Sequence, residues 1–117
     1  MPDYKPGLHI VSTFSSNEAA LKNMQACEAL FNAIINENGL NKVGDIYHEF
    51  PMGGYTAVVC LTESHISIHT WPEHGLATFD VFLSNFNNDN TEIARNLYNS
   101  TLDFFEATVI NNREIMR

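Results

Sequence analysis

Positive charge is scarce in this chain. Six Lys and Arg stand against fourteen Asp and Glu, for a formal net charge of −8. The six are scattered, so no basic stripe is available to follow a phosphate backbone, and nucleic acid is not an expected partner. Anionic membranes and polyphosphates are disfavoured on the same ground. The acidity keeps the protein soluble and would draw in a cationic small molecule. Cysteine is also scarce. Cys27 and Cys60 are the only two and form no CxxC pair, which removes the zinc-ribbon and redox signatures. Both fall in apolar patterns and read as small core residues. No apolar run reaches the length of a membrane span. The opening MPDYKPGLHIV has no basic stretch followed by an apolar one, so no signal peptide is expected and a cytoplasmic location follows. Repeats, linkers and low-complexity tracts are lacking.

What is present is ordinary globular material. With 44% hydrophobic and 11% aromatic residues, 117 positions suffice for one domain, residues 1–117, with its own core. After a polar lead-in, Met1–Pro6, the stretch Gly7–Phe14 alternates Leu8, Ile10 and Phe14 against His9 and Thr13 and reads as a strand. Ser15-Ser16-Asn17-Glu18 has capping-box spacing, with Ser15 and Glu18 as reciprocal partners. A long helix is expected behind it: Leu21, Met24, Cys27, Phe31, Ile34 and Ile35 recur at helical spacing up to an Asn38-Gly39 stop. Lys42–Phe50 is a second strand, Pro51-Met52-Gly53-Gly54 is turn chemistry, and β-branched Tyr55–Leu61 is a central strand. Ser64–Trp71 and Leu76–Ser84 pair through a loop containing Pro and Gly. Asn85–Asn90 is a polar loop. Asp89 and Glu92 cap a second helix carrying Ile93, Leu97 and Phe104, and Thr108–Ile115 returns as a strand. The order β-α-β-β-β-β-α-β, with short turns between neighbouring strands, favours antiparallel pairing. The fold class is therefore α+β: a two-layer sandwich, mainly antiparallel sheet with two helices on one face.

Chemistry concentrates in Leu61–Ser84, which holds Glu63-Ser64, three of the five histidines and the only tryptophan. His65 and His69 have metal spacing for a helix. Here they alternate with Ile66 and Ile68, which marks a strand, and four strand residues span roughly 13 Å. No metal site is expected from them. Ser64 and His69 as a hydrolase pair lack a G-x-S-x-G elbow and a third member. A third possibility, which composition alone does not establish, is chemistry at the Glu63-Ser64 bond itself. The serine hydroxyl can attack the carbonyl before it and turn the amide into an ester. Elimination then splits the chain and leaves dehydroalanine, which hydrolyses to an N-terminal pyruvoyl group. This needs a tightly held turn, a donor for the oxyanion and a base for the serine α-proton. Thr62 and Glu63 supply the corner, and His69 and the Thr56 hydroxyl are candidate helpers. An odd spacing puts Ser64 and His69 on opposite faces of a regular strand, so their convergence calls for an irregular strand start or approach from a corner.

The run Glu63-Ser64-His65-Ile66-Ser67-Ile68-His69-Thr70-Trp71-Pro72-Glu73-His74-Gly75 closely resembles the hallmark stretch of prokaryotic S-adenosylmethionine decarboxylases, E-S-H-x-x-I-H-T-[YW]-P-E-x-G. An alternating D-x-F strand follows in that family, matched by Asp80-Val81-Phe82. Gly7-Leu8-His9-Ile10-Val11 resembles the family's first strand, Phe50 falls where it has a phenylalanine, and the element order is the family's over essentially the whole chain. The resemblance implies a proenzyme that cleaves itself into a β chain, residues 1–63, and an α chain, residues 64–117, headed by a pyruvoyl cofactor made from Ser64. It implies that the pyruvoyl carbonyl forms a Schiff base with the substrate amine, that carbon dioxide leaves, and that an acid protonates the α-carbon. It further implies a homodimer with its sites between protomers and a product that feeds spermidine synthesis. Carried over by position, catalytic roles fall on Ser64, His69 and Ser84. Processing falls on Glu63, Ser64, Thr56 and His69. Substrate binding falls on Phe50, stacked on adenine, and on Glu73. Three positions depart from the pattern: Ser84 replaces the family's cysteine acid, Thr56 a serine, and Thr13 an acidic residue. Asp80 shares a strand face with Ser84 and is either its helper or a structural aspartate. The departures keep two alternatives open: a pyruvoyl decarboxylase of arginine or ornithine, and an uncleaved, non-catalytic paralogue acting as a regulatory subunit.

Overall fold

Alternation along the strands decides which face of the sheet is covered. A computed structural model describes residues 3–117; of the polar lead-in, Met1 and Pro2 lie outside the described residues. The elements are β1 (Leu8–Ser15), α1 (Glu18–Lys22), α2 (Met24–Glu37), β2 (Lys42–Glu49), β3 (Tyr55–Leu61), β4 (Ser64–Trp71), a 3₁₀ turn (Pro72–His74), β5 (Leu76–Leu83), α3 (Thr91–Phe105) and β6 (Thr108–Met116). The six strands form one sheet in the order β2-β3-β4-β5-β1-β6. Every pairing is antiparallel. The α+β two-layer class is therefore the one the sequence implies.

Leu8, Ile10 and Phe14 of β1, Tyr55, Ala57 and Val59 of β3, Ile66 and Ile68 of β4, and Phe79 and Val81 of β5 all point to one side and are buried. Leu21, Cys27, Phe31, Leu97 and Phe105 of the helices close over them. Burial pushes the Cys27 thiol up to about 12, as befits a core residue. Among the described residues no helix covers the opposite face. Cross-strand partners share a face, so the register places Ile46, Val58, Ser67, Asp80, Val11 and Arg113 in one row across it. Cys60, His65, Phe82, His9 and Ile115 form a second row. Cys60 is exposed on this face, not a core residue as its apolar surroundings imply. Both edge strands, β2 and β6, are exposed along almost their whole length.

The single long helix expected after β1 is two helices, so three cover the sheet. Asn23 breaks them with a non-helical backbone (φ −96°, ψ 78°). Its side chain accepts from the Ala26 amide at 3.1 Å and starts α2. The Ser15–Glu18 capping box does not form. Asn17 caps α1 by accepting from the Ala20 amide at 2.8 Å, while the Ser15 and Ser16 hydroxyls donate to the Thr108 and Phe105 carbonyls. At α3 the N-cap residue is Asn90, and Asp89 accepts from the Thr91 amide at 3.0 Å. Gly75, at φ +66°, takes the left-handed conformation that turns the chain into β5.

Candidate functional site

The predicted residues fall into two groups at opposite ends of β4. The first surrounds the Glu63-Ser64 bond. Thr62 and Glu63 form the tight turn between β3 and β4, with the Thr62 amide on the Asn41 carbonyl at 3.0 Å. The Thr62 hydroxyl donates to the Glu63 carboxylate at 2.7 Å. The Glu63 carbonyl accepts from the main-chain N–H of Ser84 at 2.8 Å. Ser64 itself has φ +155°, a value L residues rarely adopt, so the backbone is strained at the residue whose hydroxyl would attack. A cavity of ≈ 180 Å³ opens beside this turn, lined by Glu63, Ser84, Phe86 and Asn90 among others. The irregular strand start that the odd Ser64–His69 spacing called for is thus present at Ser64.

The second group lies on the helix-free face at the far end. Thr56 and His69 are direct cross-strand partners. The Thr56 hydroxyl and His69 Nδ1 are hydrogen bonded to each other. With Phe50, Met52, Trp71 and Glu73 they line a mainly apolar cavity of ≈ 380 Å³. The ring of Phe50 is set edge-on against His48 at 4.8 Å, just beyond the end of β2. Phe50, Thr56, His69 and Glu73 are therefore brought together, but not with Ser64. Ser64 and His69 are five residue steps apart along one strand, which separates them by about 16 Å. Within one chain the expected convergence does not occur.

A third constellation was not foreseen. His9, His65 and Asp80 place ligating atoms within 4.8 Å of one another on the open face. Arg117 donates to His9 Nδ1 at 3.2 Å and sits over the Phe82 ring at 5.6 Å. His9 Nε2 is buried, makes no hydrogen bond and faces Asp80 across 3.6 Å. Burial first, and then His9, hold His65 below its ordinary range, with Asp80 opposing. Asp80 lies beside His9 and four residues from Ser84, about 13 Å along the strand direction, so within one chain it does not reach Ser84. Thr13 and Arg113 line an adjoining polar groove of ≈ 230 Å³. The alternation of His9 was visible in the sequence, but its meeting with His65 depends on β1 inserting beside β5.

The family model for S-adenosylmethionine decarboxylase matches residues 8–117. The chain belongs to the S-adenosylmethionine decarboxylase family. It is 43% identical over 77 residues to the S-adenosylmethionine decarboxylase proenzyme of Aquifex aeolicus (strain VF5), covering 65% of this chain and 57% of that one. The match thus spans little more than half the length of the Aquifex relative. The proenzyme of Thermoplasma acidophilum is 29% identical over 112 residues, covering 95% of this chain and 82% of that one. The crystal structure of the adenosylmethionine decarboxylase from Aquifex aeolicus VF5 is similar with a TM-score of 0.79 at 28% identity, covering 98% of this chain and 91% of that chain. No helix among the described residues is long and apolar enough to cross a membrane.

Proposed function

We propose that this member of the S-adenosylmethionine decarboxylase family is a self-processing, pyruvoyl-dependent decarboxylase of S-adenosylmethionine, acting in the cytoplasm and feeding spermidine synthesis. The observation that carries the reading is the Glu63-Ser64 bond: a serine at φ +155° follows a carbonyl gripped at 2.8 Å by the Ser84 amide. Strain lowers the barrier to breaking this amide, and the turn leaves the bond beside a cavity. These residues fit a group generated from the chain at position 64. That group would supply, at the head of the α chain, a carbonyl for holding the substrate amine and an electron sink for decarboxylation.

The separation of the two groups supports a homodimer with composite sites. A base that takes the α-proton of Ser64 must reach it, and His69 of the same chain is about 16 Å away. A two-fold pairing of the open faces brings one end of β4 against the other end in the partner. Ile46, Val58, Trp71 and Ile115, 72%, 41%, 46% and 43% exposed, give that face the apolar surface such an interface buries. In this assembly Ser64 and Ser84 of one protomer meet Thr56, His69, Phe50 and Glu73 of its partner. Thr56 fixes the His69 ring through Nδ1, leaving Nε2 to take the proton during processing. The Phe50 ring offers a wall for stacking a flat base, and Glu73 offers a hydrogen-bonding carboxylate. A net charge of −8 favours a cationic substrate. In this reading Ser84, whose main chain adjoins Glu63, returns a proton to the α-carbon.

The test is carbon dioxide release from carboxyl-labelled S-adenosylmethionine, arginine and ornithine, each offered separately to the purified protein. Release from S-adenosylmethionine alone is the expected result. Release from arginine or ornithine alone would move the enzyme to the basic-amino-acid alternative. No release from any of them by a cleaved protein would refute the proposed activity.

A further inference from the structure

We propose that the main-chain N–H of Ser84 is the oxyanion donor for the acyl shift at Glu63-Ser64, and that Asn90 is the positioning residue that keeps it aimed. The proposal rests on the self-cleavage reading above. In the shift, Ser64 Oγ bonds to the Glu63 carbonyl carbon while that carbon's bond to the Ser64 nitrogen breaks. The hydroxyl proton ends on the released amine. At the tetrahedral stage the former carbonyl oxygen carries the negative charge. The Ser84 N–H donates to that oxygen at 2.8 Å. The oxygen moves little as its carbon becomes tetrahedral, so the donor is already in place. A hydrogen bond to an oxyanion is stronger than one to a neutral carbonyl, and this difference is what accelerates the step.

A ladder hydrogen bond would hold Ser84 without help if β5 continued, but β5 ends at Leu83. Beyond it the peptide depends on side chains. Asn90 is buried, 7% exposed. Its Nδ2 donates to the Ser84 carbonyl at 2.9 Å, and its main-chain N–H donates to Asn85 Oδ1 at 2.8 Å. Asn85 in turn donates to the Pro6 carbonyl at 3.0 Å. Gly7 backs the preceding peptide, Leu83–Ser84, which carries the Ser84 N–H. A Cβ there would sit 2.2 Å from the Leu83 carbonyl oxygen and 2.9 Å from the Ser84 Cα, so only glycine lets the N-terminal segment pass this close. Ser84 is thus held on both sides of its Cα, by Gly7 against the peptide that carries its N–H and by Asn90 on the carbonyl that follows. Because the donor is a backbone atom, it survives the replacement of the family's cysteine by Ser84.

The test follows cleavage of freshly translated wild-type, Asn90→Ala, Asn90→Asp and Asn90→Gln chains by intact mass, with and without hydroxylamine, which splits an ester but not an amide. Circular dichroism monitors folding. Asn90→Asp keeps the shape but loses the donor, and stands in if Asn90→Ala does not fold. Both are expected to accumulate precursor, cleaving about tenfold more slowly or worse, and hydroxylamine does not restore cleavage because the block precedes the ester. Asn90→Gln, which retains an amide donor, regains part of the rate. A His69→Ala chain, blocked after the ester, is cleaved by hydroxylamine and calibrates the assay. Folded Asn90 variants that cleave at the wild-type rate, or whose precursors are fully split by hydroxylamine, would overturn the inference while leaving self-cleavage intact. A wild-type chain that never cleaves would overturn both.

Discussion

Mixing two inactive chains should restore processing. Ser64 and His69 lie at opposite ends of the eight-residue strand β4, about 16 Å apart, so no side-chain rotation joins them. Consider a Ser64→Ala chain co-expressed with a His69→Ala chain. Alone, the first cannot cleave because it lacks the nucleophile, and the second stalls for want of the base. In a mixed dimer, Ser64 of the His69→Ala chain faces His69 of the Ser64→Ala chain, and one complete site forms. At a 1:1 ratio with random two-fold pairing, about half of the His69→Ala chains have such a partner, and about a quarter of all sites are complete. Raising the proportion of Ser64→Ala chains should drive cleavage of the His69→Ala chain towards completion. Intact mass after denaturation reads the cleaved fraction directly, and carbon dioxide release reads the sites. His69→Ala chains that stay intact at every ratio would refute the composite site. So would a lone His69→Ala chain that cleaves normally.

Further predictions concern single positions. Ser84→Cys leaves the main-chain amide unchanged, so cleavage should proceed at the wild-type rate while turnover rises about tenfold, since a thiol gives up its proton more readily than a hydroxyl; equal turnover would exclude Ser84 as the proton source. The buried Thr70 hydroxyl accepts from the Tyr55 amide at 2.9 Å and donates to the Leu21 carbonyl at 2.8 Å, tying α1 to the sheet. Thr70→Val should therefore lose about 2–4 kcal/mol in chemical denaturation, and a loss near zero would mean that these groups find other partners. His65 is held below its ordinary 6.5 by burial and by His9. Below pH 6.5 the unfolded chain then binds the more protons, so stability falls as pH drops through the depressed folded value and levels off beneath it. A His65→Asn chain should lack that part of the slope, and one with an unchanged slope would contradict the assignment.

The sheet was legible because its strands alternate. Tyr55–Leu61 and Ser64–Trp71 emerge with the limits the pattern implies, since a buried apolar residue at every second position leaves no other register. The break at Asn23 was hidden because Leu21, Cys27 and Phe31 keep helical spacing across it. Asn23 caps α2 with the same side chain that a continuous helix would expose. The hallmark run pointed to Glu63, Ser64 and His69, and the odd spacing warned that one strand could not bring the last two together. It could not reveal the Ser84 amide, because a backbone donor has no residue type of its own. Nor could it reveal the His9, His65 and Asp80 network, which exists only because β1 sits between β5 and β6.

The most direct measurement of the central claim is the intact mass of the purified chain under denaturing conditions. The account predicts two fragments, residues 1–63 and residues 64–117, the second lacking a free amine and carrying the mass of a pyruvoyl group in place of Ser64. A single uncleaved chain, from protein that is folded and dimeric, would contradict it.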